Sequence, residues 1–185
     1  MQDLGSAQTE RLRLERWSHD AHGEGFAAMN AQPEVLQYLG GGSGMTRAES
    51  DAVSPGIAAH WDAYGFGLWA AVERASGEML GFVGLCHPVW WPAMIERVEV
   101  GWRLRREAWG AGYATEGARA ALRGGFETLG LAEIVSFVHP GNERSLAVAR
   151  RLGMSVEGQM PHPARAETTV TILSIANDAA GASAG

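Results

Sequence analysis

Glu99-Val100-Gly101-Trp102-Arg103-Leu104, followed by Arg105-Arg106-Glu107-Ala108 and then Trp109-Gly110-Ala111-Gly112-Tyr113-Ala114-Thr115-Glu116, reads as a strand, a glycine-rich turn and the start of a helix. Val98, Val100, Trp102 and Leu104 alternate with Glu99, Gly101 and Arg103, the period-two pattern of a strand. Gly110, Ala111, Gly112 and Ala114 are small enough for backbone N–H groups to approach a ligand closely. From Thr115 the pattern is helical, and a helix N-terminus carries unpaired N–H donors and a partial positive charge suited to phosphate. The stretch is therefore either an ordinary tight connection or a phosphate site. Arg103, Arg105 and Arg106 beside the turn favour phosphate. No Gly-Lys-Ser/Thr follows, and the glycine spacing does not fit Gly-x-Gly-x-x-Gly, which excludes the two commonest nucleotide loops.

Outward from this stretch, 185 residues point to one domain with a substantial core. We expect it to span 1–176, with a C-terminal tail, 177–185, that frays. With 46% hydrophobic and 19% charged residues the composition is that of an ordinary globular chain. A formal net charge of -6 argues against a nucleic-acid partner, so any anion must be held by local groups. All 15 basic residues are arginine, for which we have no functional account. No apolar run has the form of a signal peptide or a membrane helix, so no membrane partner is expected. Cys86 is the single cysteine, which excludes an internal disulfide and suits the cytoplasm. It reads as a small buried hydrophobe at a strand end rather than a nucleophile.

Along the chain, residues 11–17 alternate as a first strand, and Ser18 or Asp20 could cap a short helix that ends at Asn30 and Pro33. A second helical piece, 34–39, stops at Gly40-Gly41-Gly42, a loop that serves as a helix stop or as a lid. Thr46-Arg47-Ala48-Glu49 has capping-box form, and the helix it starts is expected to break at Pro55. Residues 67–73 and 79–85 form a hairpin, and Trp90 and Trp91 lie in a proline-flanked loop. The helix after the glycine turn places Ala118, Leu122, Phe126 and Leu129 on one face, with Gly124-Gly125 weakening its end. A strand at 134–138, a short helix at 145–152 and two strands at 155–159 and 168–175 complete the chain. A meander followed by alternating strands and helices implies one α/β domain, a mixed sheet with helices on both faces.

The ordered phrases Gly67-Leu68-Trp69, Gly81-Phe82-Val83-Gly84-Leu85, the stretch 99–104, the stretch 109–116, Asn142-Glu143-Arg144-Ser145 and Arg151-Leu152-Gly153-Met154 resemble the GNAT superfamily of acyl-CoA-dependent N-acetyltransferases. The pattern is most similar to the RimJ/RimL-type branch, the ribosomal-protein N-terminal acetyltransferases, over residues 11–175. This resemblance implies a mostly antiparallel sheet that splays between its two middle strands, here 99–104 and 134–138. The acyl donor would be acetyl-CoA, the acceptor a primary amine on a protein N-terminus or a small molecule, and no metal would take part. The family's diphosphate loop, Gln/Arg-x-x-Gly-x-Gly/Ala, falls on Trp109, Gly112 and Ala114. Trp109 departs from the superfamily pattern, so backbone N–H groups of Gly110, Ala111, Gly112, Tyr113, Ala114 and Thr115, with the Thr115 hydroxyl and Arg105, would hold the phosphates. The backbone of Val100, Trp102 and Leu104 would pair with the pantetheine arm, and Asn142 would contact it.

The chemistry needs a base for the ammonium proton, a backbone N–H for the oxyanion and optionally an acid for the leaving thiolate. Glu99 is the candidate base, acting directly or through water; equally it could pair with an arginine or hold a strand bend. Many family members use a tyrosine acid, and the corresponding position here is Ala149. Ser145 is the local replacement, unless it only caps its helix. His19 and His22 lack companions for a metal site. His162-Pro163 is placed in a loop, either structural or at the acceptor mouth. Trp61, Tyr64, Trp90 and Trp91 could line that mouth or pack the core, and one of the adjacent Trp90 and Trp91 should face outward, toward substrate or a second subunit of a homodimer. The rival reading is a non-catalytic CoA-binding sensor or docking module.

Overall fold

A computed structural model describes residues 3–39 and 42–177. The glycine loop at 40–42 falls largely outside the described residues, as does the tail from 178, so neither expectation about them meets a structure. The strands are β1 (Ala7–Gln8), β2 (Leu12–Glu15), β3 (Leu68–Glu73), β4 (Met79–Cys86), β5 (Glu99–Leu104), β6 (Glu133–Val138), β7 (Ser155–His162) and β8 (Arg165–Ala176). The helices are α1 (His19–Asn30), α2 (Pro33–Leu36), α3 (Arg47–Tyr64), α4 (Tyr113–Arg123) and α5 (Glu143–Arg151). The strands form one eight-stranded sheet in the order β1-β2-β3-β4-β5-β6-β8-β7. Its neighbours are antiparallel except β5 and β6, which run parallel.

That parallel pair is the feature on which the site depends. β4 and β5 pair over six positions, from Gly81↔Leu104 to Cys86↔Glu99, whereas β5 and β6 meet only at Glu99↔Val135. The sheet therefore opens into a gap just beyond Glu99. Helices cover both faces. Phe82 meets Phe26 of α1 with ring centroids 6.2 Å apart, whereas its neighbour Val83 lies against Gly117 of α4. Consecutive strand residues point to opposite faces, so α1 and α4 lie on opposite sides. The core includes the fully buried Trp61, Trp69, Val83, Leu85, Val100 and Ile134.

Three sequence expectations change. Helix α3 does not break at Pro55 but runs unbroken from Arg47 to Tyr64. Pro55 lies on its exposed side, where a carbonyl left without its N–H partner can be hydrated. The expected capping box holds the start: Thr46 N–H donates to Glu49 Oε2 at 2.7 Å and Glu49 N–H to Thr46 Oγ1 at 3.2 Å. Second, the final hairpin is longer than expected, because β7 continues through Pro161 to His162 and β8 starts at Arg165. β7 is an edge strand, and an edge tolerates proline because its outward N–H needs no ladder partner. His162 is thus a strand-end residue rather than a loop residue. Third, Asn142, not Ser145, caps α5: its Oδ1 accepts from Ser145 N–H at 3.2 Å.

Candidate active site

The sequence pattern of β5 would ordinarily mark Glu99, Gly101 and Arg103 as a solvent face. In the structure that face instead lines a cavity of about 880 Å³. The cavity passes through the gap between β5 and β6. Trp102, Leu104, Trp109 and Gly110 line it, with Asn142, Arg144 and Ser145 from the start of α5. Toward the other sheet face it is lined by Glu99, Cys86, Trp90 and Phe82, by Tyr38 after α2 and by His162 and Thr168 of the last hairpin.

Hydrogen-bond parity along β5 determines what the gap contains. Arg105 N–H donates to Leu80 O at 2.8 Å, so Arg103, Gly101 and Glu99 share that orientation and turn their backbone groups to β4. The backbone of Val100, Trp102 and Leu104 consequently faces β6. The pairing with β6 is confined to the Glu99↔Val135 position, where Val98 O accepts from Val135 N–H at 2.9 Å. Beyond it the N–H and C=O of Trp102 face the gap with no strand opposite. Leu104 O is different: the Trp109 indole N–H donates to it at 2.8 Å. Trp109 also lies under two guanidinium groups, Arg106 at 5.1 Å and Arg144 at 4.9 Å from its ring. Where the superfamily pattern has a polar side chain, this chain thus has an aromatic platform that draws Arg144 to the cavity wall.

The turn after β5 is built for exposed donors. Gly112 is the N-cap of α4 at φ +88° and supplies no capping side chain, so the first-turn N–H groups are left for another acceptor. A bracket from Arg11, the residue before β2, steadies the turn from behind. Arg11 Nη1 donates to Ala111 O at 2.8 Å, its Nε to Glu116 Oε2 at 2.7 Å, and its guanidinium lies 4.5 Å from the Tyr113 ring. Tyr113 turns its hydroxyl to Glu73 rather than to the cavity. Thr115 is buried. Arg105 does not face the cavity either. Its Nη2 is 2.5 Å from Glu78 Oε2, an ion pair with the β3–β4 turn. Glu116 belongs to the motif quoted above, but its bracing role needs Arg11, 105 residues away in sequence, and so was invisible locally.

Glu99 lies where β5 and β6 part. Burial pushes its carboxyl up to about 7 from 4.5, although the Trp90 indole and the Phe137 backbone N–H partly offset this. No arginine is paired with it among the described residues, so the ion-pair alternative does not hold. Cys86 is its partner on β4, and burial together with the Glu99 charge pushes the thiol well above its ordinary value. A protonated thiol is no nucleophile, and Cys86 lies half-buried at the end of β4, on the cavity wall. Ser145 lines the cavity, whereas Ala149 is fully buried and does not. His162 stacks on Trp90, with centroids 5.2 Å apart and planes at 24°. Trp90 is 40% exposed at the cavity rim and Trp91 is buried, so the adjacent pair splits between outside and inside. Trp61 is core, with its indole N–H bonded to Leu68 O at 3.0 Å.

The family model described as an acetyltransferase (GNAT) domain matches residues 11–155. The chain belongs to the GNAT acetyltransferase family. The general reaction of this family is acetyl transfer from acetyl-CoA. The chain is 30% identical over 154 residues to YkkB of Bacillus subtilis, an uncharacterised protein, covering 79% of this chain and 83% of that one. It is 32% identical over 160 residues to an Aspergillus fumigatus FsC-acetyl coenzyme A-N(2)-transacetylase, covering 80% of this chain and 63% of that longer one. A Bordetella pertussis structure assigned to the GnaT-family acetyltransferases superposes with a TM-score of 0.78 at 25% identity, covering 92% of this chain and 99% of that one. This GNAT chain is accordingly an N-acetyltransferase by family, with the mixed sheet of that fold.

Asn142 carries a separate expectation. Asn142→Ala removes the α5 cap and lowers stability by about 1 kcal/mol, readable in chemical denaturation. If Asn142 also touches the donor, acetyl-CoA affinity falls by more than that stability change can account for.

Proposed function

We propose that this protein transfers the acetyl group of acetyl-CoA to a primary amine by direct attack within a ternary complex. The observation that carries the reading is the coincidence, in one cavity, of Glu99 and the unpartnered backbone edge of β5. In this reading the diphosphate sits on the N–H groups from Gly110 to Thr115, with Arg144 beside it. The pantetheine arm pairs with β5 as an added strand, taking the place that β6 vacates. The thioester then lies near the branching point of the two strands, beside Glu99.

The amine nitrogen attacks the thioester carbon, and a gap-facing backbone N–H of β5 stabilises the oxyanion. Glu99 takes the ammonium proton, directly or through one water; a carboxyl that titrates near 7 is well matched to a base working at neutral pH. The C–S bond breaks, and the Ser145 hydroxyl offers a hydrogen bond to the departing thiolate. The acceptor class carried over from the RimJ/RimL-type resemblance is a protein N-terminus or a small amine, and the location is the cytoplasm.

Thermal unfolding with acetyl-CoA, CoA, ATP and NAD tests this. Acetyl-CoA at about 100 times its dissociation constant stabilises the fold by roughly 2.7 kcal/mol, a clear midpoint shift. Gly112→Trp abolishes the shift, because the residue cannot readily take φ +88° and its ring fills the cradle. No shift with millimolar acetyl-CoA would remove the donor from this reading. Thiol release across an amine panel then separates the enzyme from a sensor that binds CoA without turnover.

A further inference from the structure

Arg103 is the unexplained charge in this site. It occupies the third position of the Glu99-Gly101-Arg103 face, and its side chain is half-buried in the cavity wall. Its Nη1 donates to Asn30 Oδ1 at 2.9 Å, and its guanidinium lies 5.1 Å from the Phe82 ring. Its Nε is buried with no acceptor. Among the described residues, Nη2 has no acceptor and no carboxylate pairs with the group. Burial alone, unrelieved by any anion, lowers its proton affinity to a value of about 10. A partly desolvated cation that faces a cavity with no counter-charge is costly, and an anion entering the cavity would relieve that cost. Here Asn30, itself fully buried and bonded to Ser50, holds the guanidinium in place without neutralising it.

We propose that Arg103 is the specificity residue for the acceptor, and that the acceptor is an extended small amine carrying a carboxylate at its far end. The proposal rests on the reading of the cavity given above. Position on the sheet separates Arg103 from the donor's phosphates. Arg103 pairs with Phe82, on the α1 face, whereas the diphosphate turn leads into α4 on the opposite face. Glu99 and Arg103 are four residues apart on one face, about 13 Å along the strand. Their head groups also diverge, one toward Trp90 and Phe137 and the other toward Asn30. That separation exceeds the amine-to-carboxylate distance of an α-amino acid. It suits an ω-amino acid or a short peptide-like amine. It also disfavours polyamines, which would bring a second positive charge to an uncompensated guanidinium.

The test compares ω-aminohexanoate, its longer homologues and glycyl dipeptides with their carboxamides, which differ only in the anionic end. Thiol release gives kcat/KM, and calorimetry gives acceptor binding without turnover. Wild type should favour each extended carboxylate over its amide by about tenfold or more, the range of a charge-assisted hydrogen bond. Arg103→Gln should bring the ratio to about one through KM for the acceptor, with the acetyl-CoA midpoint shift retained. Arg103→Lys should keep a reduced preference.

Equal use of acid and amide by wild type overturns the proposal, whatever the fate of the variants. So does loss of the acetyl-CoA shift in folded Arg103→Gln or Arg103→Lys, which would assign the guanidinium to the donor's phosphates. Acetylation confined to protein N-termini overturns it as well. If wild type shows no acetyl-CoA shift, the donor reading fails by itself, and calorimetry still decides whether the cavity selects carboxylates.

Discussion

Glu99→Gln lowers kcat/KM by roughly 10²-fold or more and removes the pH dependence centred near 7. In wild type the carboxylate must be free to take the amine proton, so activity rises with pH through that value and levels off above it. Glutamine is nearly the same size and keeps a hydrogen bond to Trp90, but it accepts no proton. A role limited to holding the strand would give a flat loss with an unchanged pH profile, and that result would remove Glu99 from the chemistry. The same substitution has an opposite effect on stability. The folded protein holds the Glu99 proton more tightly than the unfolded chain, with a midpoint near 7 against 4.5. Its contribution to stability is present below about pH 4.5 and is lost as pH rises to about 7, a change of roughly 3 kcal/mol. Relative to wild type, Glu99→Gln is therefore more stable at pH 8 than at pH 4, and paired denaturation curves at the two pH values measure the difference. A variant that gains stability while losing activity is the expected signature of a strained functional group.

Gly81→Ala is expected to be the most damaging small substitution in the sheet. Gly81 sits at φ +146°, beside the register shift between β3 and β4. A Cβ there would lie 2.1 Å from Arg103 O and 2.8 Å from Leu104 Cα. Both are backbone atoms of β5, so no side-chain rotation can relieve the clash. Strain and overpacking together amount to roughly 4 kcal/mol, and the midpoint should fall by about 10 °C. Because β5 must move, acetyl-CoA affinity falls too. Gly56→Ala, at an α3 position with open space around it, should instead be neutral or stabilising. Comparable effects at both positions would show that the close β4–β5 approach is not what requires Gly81.

The strand-turn-helix stretch was legible because each of its signals is local. Alternation at 98–104, small residues at 110–114 and the helical pattern from Thr115 all lie within a few residues. The capping box at Thr46 and the central hairpin were legible for the same reason. Pro55 suggests a helix break that does not occur, and the 155–159 strand in fact runs on through Pro161, since a proline's effect depends on what lies opposite it. One faces water on a helix surface and the other lies on an edge strand, and neither fact is local. Asn142 and Ser145 both line the cavity, but only the fold shows which of them caps α5: Asn142 does, through its side chain.

Chain order and residue type by themselves determined the family, the succession of elements and the glycine turn that starts α4. These are set by backbone geometry and by side-chain periodicity, which neighbouring residues specify. Tertiary structure alone decided that the polar residues of β5 line an internal cavity, where β5 and β6 part, and that Arg105 is paired while Arg103 is not. Enclosure and pairing depend on residues far away in sequence: Glu78 reaches Arg105, Asn30 reaches Arg103, and β6 pairs with β5 at a single position. The electrostatic character of Glu99 and Arg103 arises from that long-range enclosure, because a charge is perturbed by what replaces its water.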